Sequence, residues 1–204
     1  MTESDIVPRI QFENLKGFPI IEKGQLIETE AFLHASQEIV AIIDTFGKLF
    51  KPITKDMSGN IEKLTISYEK GKDKFHYLED LIVKNINMDK KFSSDSLLWL
   101  KRGLRLICTF FENMFNDKQS LDNLKQHLQD AYDRSLKPYH GWFVQNTVSV
   151  ISRWAPTRTQ LIGSGELQAK NLKTLEEFIP RMKAVLDRID ALYMEHNLEE
   201  NYKV

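Results

Sequence analysis

Apolar positions recur along this chain at three- and four-residue intervals, in segments separated by glycine, proline and short polar runs. Residues 1 to 27 hold Pro8, Gly17, Pro19 and Gly24 among scattered apolar side chains, which predicts an irregular arm packed on a domain spanning 28–204. Phe32, Ile39, Val40, Ile42, Ile43 and Phe46 predict a first helix with Thr29 as its cap and a break near Gly47. Pro52 suits the first turn of a second helix that runs to about Lys70 and stops at Gly71. Gly59 inside that helix costs up to about 1 kcal/mol against alanine, so its bare backbone points to close packing or to a ligand's approach. Phe75, Leu78, Leu81, Ile82 and Ile86 form a third, shorter stripe.

The run SLLWLKRGLRLICTFFENMF at 96–115 is apolar over too wide an arc for a helix covered on one side, which predicts a central element. Residues 120–155 predict one long helix or a pair, with Pro138 starting a segment or kinking a continuous one, and an end at Ala155-Pro156. LIGSGELQAKN at 161–171 suggests a turn-rich insertion, and helical period returns from Leu175 to Leu198 with Pro180 inside it. Strand-like alternation nowhere persists. Six or more helices with short connections predict a single all-α domain, because each amphipathic face needs another face to exclude water.

Composition narrows the function classes. A chain of 204 residues, 42% apolar and 28% charged, suits one soluble domain. Its single Cys108 excludes an intrachain disulfide and a cysteine-built zinc site, reads as a small buried hydrophobe, and makes a reducing compartment the simpler expectation. Lys plus Arg number 28 against 29 Asp plus Glu, so the net charge of -1 gives no global reason to expect a nucleic-acid partner. The first twenty residues lack the basic and apolar regions of a secretory signal, and no apolar stretch reaches the roughly 20 residues that span a bilayer, so membrane contact is expected to be peripheral. HExxH, phosphate-cradling Gly-Lys and GxSxG patterns are absent, which favours binding over turnover; no metal or cofactor is expected.

Several residues carry candidate chemistry. On a helix, Asp56, Asn60 and Lys63 fall within about 40° of one direction. They offer an acceptor, an amide that accepts and donates, and a cationic donor, a set suited to polyol hydroxyls; a solvated helix face is the plain alternative. Trp99 is either core packing or a flat plate for the C–H face of a sugar. Lys101, Arg102 and Arg105 either border an anionic headgroup or form the solvated stripe of the helix. His140 can bind a polar amide at the mouth of an apolar cavity or be packed against backbone. Trp142 and Trp154, near Arg153 and Arg158, are either core or anchors at the lipid headgroup level.

The motifs DMSGNIEKL, LLWLKRGLRL, LKPYHGWFVQ and NYKV, in that order, are similar to those of the glycolipid transfer protein family, and the resemblance runs from about Phe32 to Val204. It implies an all-α two-layer helical sandwich that encloses ceramide chains in a collapsible apolar pocket. It further implies non-enzymatic movement of a glycosphingolipid, such as glucosylceramide, galactosylceramide or lactosylceramide, by a cytoplasmic monomer that touches membranes transiently. By that resemblance Asp56, Asn60 and Lys63 bind the sugar under Trp99, and Asp56 and His140 meet the ceramide amide. Tyr202 and Val204 lie near the headgroup, and Phe110, Phe111, Leu136, Phe143, Val144 and Val148 line the chain pocket. Trp142 resembles the family's membrane-contact aromatic, while Arg153-Trp154 departs from it by one position and shifts that second contact. Trp99 argues against the relatives selective for ceramide phosphate. A glycolipid sensor with little transfer, a ceramide-phosphate carrier, a carbohydrate-processing enzyme and a purely structural domain are the alternatives.

Overall fold

The computed structural model describes residues 8–85, 92–117 and 119–203; Ile86 and Val204, named above, lie outside them. Eight α-helices follow in order among the described residues: α1 (Thr29–Asp44), α2 (Lys51–Glu69), α3 (Leu78–Asn85), α4 (Phe92–Asn116), α5 (Lys125–Ser135), α6 (Trp142–Ile151), α7 (Arg158–Ile162) and α8 (Gly165–Glu195). They build a two-layer, all-α sandwich around α4, which packs against α2, α5 and α8 and more lightly against α1 and α3. Sixteen of its 25 residues are buried, as the width of its apolar arc requires.

Local rules account for most boundaries. Gly47 at φ 114° breaks the chain after α1, and Pro52 sits in the first turn of α2, where its missing N–H costs nothing. Thr29 does not cap α1: Glu28 holds that position, and the Thr29 hydroxyl donates to Phe75 O at 2.7 Å, joining the entry of α1 to the approach of α3. A Cβ added at Gly59 would meet nothing within 4 Å, so close packing is not the reason for that glycine. The tight approach falls at Gly103, where an added Cβ would lie 3.4 Å from the Met57 side chain across the α2–α4 seam. Pro138 opens a short 3-10 turn (Lys137–Tyr139) between α5 and α6, so 120–155 contains two helices rather than a kinked one.

Residues 161–171 are not an insertion. Thr157 and Gln160 form a reciprocal capping box that starts α7, only Gly163 and Ser164 separate it from α8, and α8 then runs 31 residues through Pro180. Tertiary bonding overrides the turn-like composition: buried Asn171 donates to Ile162 O at 3.0 Å and accepts from Phe12 N at 3.3 Å. Below it, Arg158 donates to Met114 O at 2.9 Å and Leu121 O at 3.1 Å and pairs with Asp117 at 3.1 Å, bolting α7 to the end of α4.

The arm is part of this core. Ile10, Phe12, Phe18 and Ile27 are buried, and the Phe12 ring stands edge-on to Phe111 at 5.5 Å and Phe178 at 5.6 Å. Arg181 reaches from α8 to Phe18 O at 2.7 Å and Lys16 O at 2.8 Å. Cys108 is fully enclosed, and burial pushes its thiol up to about 12, which leaves it unreactive at neutral pH.

Candidate functional site

The polar triplet of α2 and the indole of α4 come together through helix register. Gly103 meets Met57, and Ser93 Oγ donates to Ser67 Oγ at 3.0 Å. The chain advances ten residues along α2 between these contacts while it retreats ten along α4, so the helices are antiparallel and in step. Asn60, three residues after Met57, therefore comes level with Leu100, next to Trp99. Asn60 is buried, and its amide nitrogen approaches Asp56 Oδ2 at 3.4 Å, while Asp56 and Lys63 are exposed. Lys63 hangs over the Phe92 ring, 5.9 Å from its centroid. Partial loss of water around the carboxyl raises the Asp56 pKa from its ordinary value, against the pull of Lys63.

Trp99 is neither core nor free. Half-buried, it donates from Nε1 to Tyr202 Oη at 2.9 Å, and the Tyr202 ring stands edge-on to it at 5.8 Å. On another side the His140 ring lies nearly parallel, 12° from coplanar with centroids 6.4 Å apart. His140 Nδ1 is 3.1 Å from Tyr132 Oη, and its carbonyl accepts from Gln145 at 2.8 Å. Burial, then the nearby Arg102 guanidinium, lowers the His140 pKa; burial, then Asp133, pushes the Tyr132 hydroxyl up to about 12. A protonated Tyr132 donating to Nδ1 leaves Nε2–H of a neutral imidazole to donate elsewhere.

The basic residues of α4 are not a solvated stripe. Lys101 and Arg102 are 5% and 4% exposed. Lys101 pairs with Asp190 at 2.8 Å and Glu199 at 2.6 Å, Arg102 with Glu199 at 2.9 Å, and Arg105 with Asp187 at 2.9 Å and Asp190 at 2.6 Å. Arg102 also donates to Glu200 O and is stacked on Tyr139, 3.5 Å from the ring centroid, and on Trp99 at 4.9 Å. These bonds moor the segment after α8 and hold Tyr202 against Trp99. They also neutralise a cleft of about 430 Å³ lined by Arg105, Tyr139 and Glu199. Tyr132, Tyr139 and Glu199 went unassigned from sequence; only the acidic pair ahead of Tyr202 carried a signal, as a match for the buried cations.

The apolar candidates divide. Phe110 and Phe111 are fully buried, and Leu136 and Val148 pack against the same core from its edge. Val144 is half-buried, but Phe143 stands 75% exposed beside Trp142 at 77%, so Phe143 is not brought to the interior. Trp154 is 65% exposed on the turn after α6. No helix among the described residues is long and apolar enough to cross a membrane, and none of their His, Cys, Asp and Glu side chains cluster to hold a metal.

Residues 27–165 match the family model described as glycolipid transfer protein. The human pleckstrin homology domain-containing family A member 8 is 28% identical over 190 residues, which cover 86% of this chain and 36% of that protein; the chain thus spans about a third of the curated relative's length. Among solved structures, one of FAPP2, described as selecting simple glycosphingolipids with this fold, shares 27% identity at a TM-score of 0.82 over 96% of this chain and 97% of its own. The fungal glycolipid transfer protein HET-C2 superposes with a TM-score of 0.80 at 24% identity, over 90% of this chain and 97% of its own. Mouse ceramide-1-phosphate transfer protein also reaches 0.80, at 19% identity over 89% of this chain and 93% of its own, so fold alone does not choose between the two cargoes.

Proposed function

The chain belongs to the glycolipid transfer protein family, whose members bind and move lipids without chemical change, and from that premise we propose that it carries a glycosphingolipid between membranes. The observation that carries the choice of cargo is the state of the cations around Trp99. Lys101, Arg102 and Arg105 are already paired with carboxylates, whereas the indole, half-buried among His140, Arg102 and Tyr202, carries no charge and lies next to Leu100, which is level with Asn60. A phosphate headgroup would have to compete with those carboxylates for the cations. A neutral sugar would lay its C–H face on the indole and turn its hydroxyls toward Asp56, Asn60 and Lys63.

In this reading Asp56 accepts from the ceramide amide nitrogen and His140 donates from Nε2 to its carbonyl oxygen. Tyr202 closes the headgroup side, and Val204 would add to it. Phe110, Phe111, Leu136, Val144 and Val148 part to admit the hydrocarbon chains, whose apolar surface is worth about 25 cal/mol per Å² removed from water. Glucosylceramide, galactosylceramide and lactosylceramide are cargo of this chemistry. Trp142, Phe143 and Trp154 meet the bilayer, with Phe143 serving there rather than in the pocket. A cytoplasmic monomer in transient membrane contact, with residues 28–204 as the transfer domain and the arm packed on it, fits the same reading.

The test is movement of labelled lipid between vesicles, comparing glucosylceramide, lactosylceramide, ceramide phosphate and phosphatidylcholine. Trp99→Ala and Asp56→Asn should each cut glucosylceramide transfer about fivefold to thirtyfold while the protein stays folded, since lost stacking and a lost amide contact each remove about 1–2 kcal/mol. Undiminished transfer by both variants would refute the sugar site. Faster movement of ceramide phosphate would favour a second reading, in which Arg102, with Nε and Nη1 buried and lacking hydrogen-bond partners, turns to a phosphate. Tight one-to-one retention without exchange would make the protein a sensor.

A further inference from the structure

Three segments distant in sequence each bring one cation to a cleft of about 400 Å³ on the Trp154 side of the molecule. Arg9 comes from the arm, Lys48 from the α1–α2 connection and Arg153 from the α6–α7 connection. None of the three pairs with a carboxylate among the described residues, in contrast to Lys101, Arg102, Arg105 and Arg158, which all do. The nearby acid at the end of α1, Asp44, is occupied by Lys51 at 2.6 Å and Thr54 at 3.5 Å. Arg9 spends a single guanidinium nitrogen on Thr45 O at 2.8 Å, an uncharged contact that orients the fork and leaves its charge available.

The placement is built rather than loose. Arg9 N and Ile10 N donate to Gln160 O and Leu161 O, both at 2.9 Å, which ties the arm to α7 beside the cleft. Ser152 is buried and its Oγ donates to Val148 O at 2.8 Å, at the start of the short 3-10 turn (Ser152–Trp154) that brings Arg153 and Trp154 to the cleft. Lys48 follows Gly47, which has a positive φ, and both residues line the same cleft. Exposed Leu49 and Trp154 flank the cations with apolar surface that a free phosphate would not use.

We propose that this cleft is a second lipid site, which takes the phosphate of an anionic phospholipid headgroup in the membrane where the protein docks. Trp154 and Leu49 settle at the headgroup level while Arg9, Lys48 and Arg153 converge on phosphate oxygens. The site rests on the membrane-docking reading of Trp142, Phe143 and Trp154 and extends it from contact to a choice of leaflet. A chain of net charge -1 has no global attraction to an anionic surface, so this local trio decides which bilayer holds it. Each cation at an anionic leaflet is worth about fivefold in partitioning, roughly a hundredfold for three.

The experiment measures co-sedimentation of the full chain with phosphatidylcholine vesicles, and with the same vesicles containing about one-quarter phosphatidylserine, at low and high salt. The wild type should prefer the anionic vesicles by tenfold or more and lose that preference in high salt. Arg9→Gln with Lys48→Gln and Arg153→Gln should abolish the preference and leave binding to neutral vesicles unchanged. Arg153→Gln alone, at an exposed position that folding does not use, should cost about fivefold. A control that removes three exposed lysines elsewhere, Lys23→Gln with Lys125→Gln and Lys173→Gln, should keep the preference. An equal loss in that control, or a preference that survives the triple cleft variant, overturns the proposal. Equal wild-type binding to both vesicles overturns it and leaves docking standing, whereas binding to neither overturns docking as well.

Discussion

α4 buries sixteen of its 25 residues, two cations among them, while none of the ten residues of α6 is buried although Trp142, Phe143, Val144, Val148, Val150 and Ile151 lie along it. Apolar content measures a segment's preference for leaving water, and the neighbours decide where it goes. α4 has partners on several sides; the outer face of α6 has none within the described residues, and an exposed apolar face of this kind marks an interaction surface. Charges make the same point in reverse, since Lys101 and Arg102 are inside because carboxylates and aromatic faces await them.

Four measurements break or sharpen that contrast, in falling order of their expected effect on stability. Phe111→Ala should cost about 3–5 kcal/mol in urea unfolding, since the ring is enclosed by Phe12, Phe110 and Phe178; an unchanged midpoint would remove α4 from the centre of the fold. Asp117→Asn should cost about 2–3 kcal/mol near neutral pH. Burial alone would raise the Asp117 pKa, but hydrogen bonds from His127, Leu121 N and Gln119 N, together with Arg158, bring it below the usual value. Its contribution is therefore present above the unfolded carboxylate pKa of about 4 and is lost as pH falls through the lower folded value. The variant should lack that part of the acid transition, and an unaltered acid limb would count against the assignment.

Glu199→Gln comes third, at about 1–2 kcal/mol, because it leaves Lys101 and Arg102 short of an anion while Asp190 remains. It should also loosen Tyr202 and shift Trp99 emission to the red; emission identical to wild type would show the tail held by other contacts. Trp142→Ala with Phe143→Ala should move stability least, by no more than about 0.5 kcal/mol, because both side chains already face water. Vesicle transfer should nonetheless fall several-fold, and a variant that unfolds early but transfers normally would return α6 to the core.

Helix periodicity made the all-α class and the central α4 readable, since a wide apolar arc has one physical outcome whatever covers it. Asp56, Asn60 and Lys63 were readable as one face because 3.6 residues per turn fixes angles within a helix. That Asn60 comes level with Trp99 was not, because it depends on the α2–α4 register set where Gly103 admits Met57. The start of α8 was hidden for a similar reason: Gly163, Ser164 and Gly165 look like a loop until Asn171 finds partners in the arm and in α7. Burial of Lys101 and Arg102 depends on carboxylates some ninety residues away, beyond the reach of any local pattern.

The arm's bonds to α8 join residues 159 to 165 positions apart, as Phe12 meets Asn171 and Lys16 and Phe18 meet Arg181. Such closures forfeit loop entropy before any contact rewards it, so they are expected to form after the locally connected helices have assembled. Arg9 reaches its cleft through the same docking. During refolding, recovery of helical signal should therefore precede the appearance of the three-cation surface, and an anionic vesicle would recognise the molecule only once that last seam has closed.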